Sequence, residues 1–122
     1  MRPARNGHAA AELVIALPVL MIFMLGIADV GRVMTASASL HRAVASAATR
    51  GIDKTLTDTV IKTVVVTEYP GLPMANVTVT RGGDSLIVSA STTVTSFTPL
   101  AHYVWPNSTI TVNAAAVTRV EP

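Results

Sequence analysis

One unbroken apolar run and two hydrophobic periods divide the chain. From Leu13 to Ala28 it reads LVIALPVLMIFMLGIA, without a charged residue. As a helix rising about 1.5 Å per residue, this run spans roughly 24 Å. A membrane hydrocarbon core is about 30 Å thick. Extending the run back through Glu12 to Ala9 supplies the roughly 20 residues a span needs, with one carboxylate near its edge. The pattern predicts a single transmembrane helix. A buried core helix is the competing reading, but so small a protein could hardly cover so continuous an apolar cylinder. Pro18 removes one helical donor and loosens or kinks the turn before it. Membrane helices tolerate this, and Gly26 and Gly31 near the exit fit the same composition.

Beyond the run, the period stays helical but becomes amphipathic. Val33, Leu40, Val44 and Ala47 share one face, with Ala36 and Ala43 beside them. Arg32, Thr35, Ser39, Arg42, Ser46 and Arg50 occupy the other. Gly51 then reads as a C-terminal stop. One long helix over about 8–50 is expected. Over 53–68, Leu56, Val60, Ile61, Val64 and Val65 repeat at helical spacing, whereas the β-branched Val64–Thr67 favours a strand. The period over the whole window predicts a second helix, ended by Tyr69-Pro70-Gly71-Leu72-Pro73.

The rest alternates with period two. Val77 and Val79 mark a first strand, and Leu86, Val88, Ala90 and Val94 a second. Ile110, Val112, Ala114 and Ala116 mark a third. Arg81-Gly82-Gly83-Asp84 is a hairpin turn, and Phe97 to Ser108 is a loop carrying Phe97, Tyr103 and Trp105. The expected fold class is α+β: a long N-terminal helix, a short second helix and a small three-stranded antiparallel head. Four stretches follow: a basic leader over 1–7, a transmembrane helix over 8–28, an amphipathic extension over 29–51, and an α+β head over 52–122.

Charge orients this arrangement. The formal net charge is +2, and nine basic residues face seven acidic ones. Arg2 and Arg5 account for the excess, so no basic stripe for nucleic acid remains. With Arg2, Arg5 and the initial amine before the run, the positive-inside bias keeps the N-terminus cytoplasmic and sends the head across. A cleavable secretory signal is the competitor, with Ala36-Ser37-Ala38 as its cut site. That triplet lies well beyond the run, past Asp29 and Arg32.

Candidate chemistry is sparse. The absence of cysteine excludes a disulfide scaffold, a thiol nucleophile and cysteine-ligated metal. His8, His41 and His102 are scattered, and no nucleophile elbow, phosphate loop or zinc-helix motif is present. Neither an enzyme, a cofactor nor a small-molecule substrate is expected. The Asn-x-Ser/Thr triplets at Asn76 and Asn107 are unsurprising in a threonine-rich chain. Ser85 to Thr118 contains no Asp, Glu, Lys or Arg. This is either a hydroxyl-solubilised sheet or a subunit contact with few charges to desolvate. The loop aromatics read as core edge or as a ligand platform.

The sharpest feature is Gly7-His8-Ala9-Ala10-Ala11-Glu12: a basic leader, a glycine, a glutamate five positions later, and the apolar run at once after it. This resembles the processing site of type IV pilins. The wider stretch, with Arg5, Gly7, Glu12-Leu13, Pro18, Gly26, Asp29 and Gly31-Arg32, resembles TadE-like minor pilins, or pseudopilins, of tight-adherence (type IVc) pilus systems. The resemblance covers about a quarter of the chain. It implies cleavage after Gly7 by a prepilin peptidase, leaving His8 as the new N-terminus. Glu12 would become the fifth residue and a register device, pairing with a neighbouring subunit's terminal amine. Leu13, Pro18, Gly26 and Ala28 would belong to the membrane helix.

The implied partners are the peptidase, other pilin subunits, the assembly platform and the membrane. The implied location is the bacterial inner membrane, with the head outside and incorporation into an extracellular pilus to follow. The implied role is in pilus assembly, initiation or tip formation for surface adhesion. Leu13 stands where the major pilins of these systems carry tyrosine, and the chain is longer than theirs. Both departures point to a minor subunit. Without the resemblance, Glu12 also reads as an acid favoured at a helix start by the macrodipole. The whole chain then reads as an unprocessed, membrane-anchored binding domain.

Overall fold

The structure, a computed structural model, describes residues 6–96 and 109–120, with side chains from His8 onward. The leader arginines and the loop holding Phe97, Tyr103 and Trp105 lie outside the described residues, as do His102 and Asn107. The elements are α1 (Asn6–Arg50), α2 (Asp58–Glu68), β1 (Val77–Gly82), β2 (Ser85–Thr95) and β3 (Thr109–Arg119). A single 3-10 turn, Met74–Asn76, precedes β1. The class is the expected α+β.

α1 is one helix of 45 residues and continues through Pro18. Its C-terminal half buries Leu40, Ala43, Val44, Ala47 and Ala48 against the head. This is the small-residue face that the sequence period marks, widened by Ala48. The sheet has the order β1-β2-β3 and is antiparallel throughout. Its register runs without a slip from Val77↔Ala90 to Gly82↔Ser85, and from Ser85↔Arg119 to Thr95↔Thr109. A slip of one residue would turn every buried side chain outward. In this register Val77, Leu86, Val88, Ala90, Val112 and Ala114 point together into the core. Ile61, Val65, Leu72 and Val120 complete it. The hairpin turn is Gly83-Asp84, and Gly83 has φ +54. A two-residue hairpin needs positive φ at its first central position, which glycine adopts without strain.

α2 is a helix despite its β-branched run, because helical spacing puts both Ile61 and Val65 into the core. Thr63 and Thr67 direct their hydroxyls back to the carbonyls of Thr59 and Thr63, each at 2.8 Å. The helix begins at Asp58, later than the expected 53. Local side-chain bonding explains the delay. Asp53 Oδ1 accepts the Thr55 amide at 2.9 Å and the Thr55 hydroxyl at 2.6 Å. Such a turn competes with helix for the same backbone groups. Those two bonds, the hydroxyl first, hold the Asp53 carboxyl below the usual aspartate range. Val60, in the first turn of α2, is exposed rather than lining the core. Ile110, expected to face inward, is exposed too, at the start of β3 beyond the end of the core.

Gly51 stands at the expected stop, but for a reason of packing. The helix does stop at Arg50, but Gly51 is not among the positive-φ glycines. Its amide still bonds Ala47 O at 2.9 Å. The residue is buried, and a Cβ there would collide with Leu86 Cδ2 and crowd Ile61 Cδ1 at 3.1 Å. Gly51 is thus a packing glycine that lets α1 close onto β2 and α2, not a left-handed cap. On the rim, Arg81 Nε donates to Asp58 Oδ1 and its Nη2 to Leu56 O, both at 2.7 Å, tying β1 to the entry of α2.

Candidate functional site

The N-terminal half of α1 stands apart from the head. It holds an 18-residue apolar window of which none is buried, long and apolar enough to cross a membrane. Leu13, Val14, Ile15, Leu20, Phe23 and Ile27 are all exposed. In the C-terminal half the same helix buries its apolar face. The contrast is a matter of sequence: the head has one apolar layer, and Leu40 to Ala48 already fill it.

Gly7 and His8 lie in the first turn of α1. The first four amides of a helix have no intrahelical acceptor, so this turn opens at little cost. Glu12 and His8 are exposed and one helical turn apart. Glu12 lies on a stripe with Ile15, Ala16, Val19, Leu20 and Phe23. Among the described residues it has no hydrogen-bond or ion-pair partner. It is the seventh residue of α1, beyond the first turn in which the macrodipole acts. The helix-start explanation of this acid therefore fails in this structure. Leu13 and Ala28 are exposed, Pro18 lies inside the helix, and Gly26 is half-buried with nothing near a built Cβ.

At the end of the apolar run the head reaches back to the helix. Ser96 Oγ donates to Asp29 Oδ2 at 2.6 Å, and Arg32 Nη1 to Thr95 O at 3.4 Å. The C-terminal end of β2 is thus clasped to the exit of the run, while the Leu86 end of β2 packs at Gly51. β2 therefore runs back along α1, antiparallel to it. Sequence position alone does not mark Asp29 and Arg32 as a clasp. Their partners are 67 and 63 residues away, and nothing local marks them.

The apolar run, its clasped exit and the small-residue face make up one continuous feature. Residues 7–49 match the family of TadE-like proteins. The match begins at Gly7, ends one residue before α1 does, and leaves the β head outside. It bears out the resemblance drawn from Gly7, Glu12 and the residues after them. The apolar helix of this TadE-like segment fits a membrane anchor. No curated protein and no solved structure matches the chain.

Proposed function

We propose that this protein is a minor pilin-like structural subunit of a tight-adherence pilus. It is inserted in the inner membrane with its N-terminus cytoplasmic and its head outside. A prepilin peptidase then cuts it after Gly7. It acts in assembly, initiation or tip formation for surface adhesion, and it is not an enzyme. One observation carries the reading: the family match coincides with a helix whose apolar half leaves the head entirely bare. In water that half would be unsupportable; in a bilayer, or among other such helices, it is at home.

The processing residues then have physical roles. Gly7 lets an extended backbone enter a narrow protease cleft. Cleavage creates an amine at His8. Glu12, a costly carboxylate at the edge of an apolar run, gains a partner when a neighbour supplies such an amine. Only one axial offset between helices pairs the two groups, so the ion pair sets register.

The test is intact-mass analysis of the membrane-extracted protein, with and without a co-expressed prepilin peptidase. A peptidase-dependent chain beginning at His8 is the expected result. A chain retaining Arg2 and Arg5 in both samples would overturn processing and favour the anchored binding domain. One beginning near Ser39 would indicate secretion. Glu12→Ala should impair cleavage or incorporation; normal behaviour in both removes the glutamate from the mechanism.

A further inference from the structure

We infer that the end of the head nearest the apolar run is a lipid-binding surface, seated in the headgroup layer of the bilayer that α1 enters. The inference rests on the membrane-anchored reading of α1 but not on cleavage after Gly7.

The clasp fixes the height of this end. Ser96 is bonded to Asp29, the first residue after the apolar run, and the Thr95 carbonyl to Arg32. The cross-strand pairs Thr95↔Thr109 and Val94↔Ile110 follow at once. At about 3.3 Å per strand residue, Ile110 stands about 7 Å past Asp29. At about 1.5 Å per helix residue, Val30 stands about 1.5 Å past it and Met34 about 7–8 Å. Ile110, Val30 and Met34 are 48%, 56% and 67% exposed. Helical side chains also lean toward the helix N-terminus, which here is toward the bilayer. The interfacial layer outside the hydrocarbon core is about 5–7 Å thick on each side. With the apolar run in the core, these three apolar side chains fall within that layer or at its outer edge.

The chain between Ser96 and Thr109 must leave and return at the same rim, because Thr95 and Thr109 are paired. Its twelve residues, FTPLAHYVWPNS, contain no Asp, Glu, Lys or Arg and three of the five aromatic residues of the protein. Tyrosine and tryptophan favour the membrane interface, where the ring is in apolar surroundings and the polar tip stays wet.

The opposite end of the head has the opposite character. Asp53, Lys54, Asp58, Arg81, Asp84 and Arg119 gather there, around the hairpin turn and the entry of α2. Among the described residues the near end holds only Asp29 and Arg32, and the head bonds both. Charge is thus segregated along the axis, with the charged end toward water and the uncharged end toward the bilayer. Lipid is the occupant because the surface continues the anchor. Val30 and Met34 extend the stripe of Phe23 and Ile27 past Asp29 without a break in exposure. The contact holds the head down on the bilayer surface.

The chain has no cysteine, so one introduced thiol takes a fluorophore cleanly. Full-length Ile110→Cys, Met34→Cys and Val117→Cys are each labelled with an environment-sensitive dye and reconstituted in phosphatidylethanolamine–phosphatidylglycerol vesicles. All three positions are exposed, so the label displaces no core contact. Lipids brominated near the glycerol end of their chains should quench most of the emission at positions 110 and 34. Val117, 68% exposed toward the far end of β3, should stay unquenched by lipid and open to aqueous iodide. Unquenched labels at 110 and 34, in chains that resist alkaline extraction, would overturn the lipid seat and leave the anchor standing. Shielding of both from iodide without lipid quenching would mean that protein covers the rim, and would overturn the seat as well. Equal quenching at all three positions would mean a head lying flat with no preferred end, with the same consequence. Chains removed by alkaline extraction would refute the anchored reading, and the seat with it.

Discussion

Gly51→Ala should destabilise the head, although glycine to alanine usually helps where, as here, φ is not positive. Two effects oppose each other. Alanine restricts the unfolded chain and favours helix, worth about 0.5–1 kcal/mol in its favour. Against this, the new methyl collides with Leu86 Cδ2, meets Ile61 Cδ1 at 3.1 Å and Ala47 O at 3.3 Å. Leu86 and Ile61 are both fully buried, so neither side chain can swing aside into open space. Overpacking of this kind costs about 1–3 kcal/mol. Overpacking wins, with a net loss of about 1 kcal/mol, or about 4–8 °C in a folding unit of 60–100 residues. Thermal unfolding of the full chain in detergent, followed by circular dichroism, measures it. Gly31→Ala is the matched control: it gains the same backbone advantage with no neighbour within 4 Å, so it should not lower the midpoint. The argument also predicts coupling. Leu86→Ala should cost less in the Gly51→Ala background than alone, because the methyl occupies part of the vacated space. A Gly51→Ala midpoint equal to or above that of the parent refutes the packing role.

Other consequences can be checked in the same system. Leu40→Ala, at a fully buried position where α1 meets the sheet, should cost about 2–5 kcal/mol, whereas Met34→Ala should leave the midpoint of the isolated copy nearly unchanged. Chemical denaturation separates the two, and equal losses would mean that Leu40 is not the helix's core contact. Arg81→Met removes the 2.7 Å bonds to Asp58 and Leu56. Because both charged partners are partly exposed, the loss should be about 1 kcal/mol or less and should shrink as salt is added. A larger, salt-insensitive loss would contradict a screened surface contact. The folded-state pKa of Asp53 is depressed, so its stabilising bond is fully present above the ordinary aspartate range and is lost as pH falls through the folded value. Carboxyl-carbon NMR should show Asp53 titrating low, and Thr55→Ala should move it up by removing the hydroxyl donor. No upward movement would exclude that bond as the main cause.

Much of the fold was legible in the chain because the informative patterns are local. The apolar run, the switch to an amphipathic period at Arg32 and the Gly82-Gly83-Asp84 turn each state a preference within a few residues. The alternation of Leu86, Val88 and Ala90 is of the same kind. So is the TadE-like signature, which is contiguous from Gly7 onward and matched over 7–49. The misses arose where a local preference met a distant partner. Asp53 to Leu56 carries helical spacing, but the Asp53–Thr55 bonds take the backbone first. Val64 to Thr67 prefers strand by residue type, yet the helix expected from the period of the whole window forms, because burial of Ile61 and Val65 against the core overrides that preference.

The sequence by itself determined that one segment is too apolar for water, that the helix continues beyond it with a narrow face of small residues, and that a short alternating sheet follows. It also carried the TadE-like signature, since the matched stretch is contiguous from Gly7 and takes in Glu12. Only the tertiary structure decided what Gly51, Asp29 and Arg32 do. Gly51 is required by Leu86 and Ile61, and Asp29 and Arg32 by Ser96 and Thr95. Those partners are brought close by the hairpin register and by the packing of α1 on the sheet. A residue's preference for helix or strand is set by its own atoms and near neighbours. Its reason for being glycine, or for keeping a charge, lies in whatever the fold places against it.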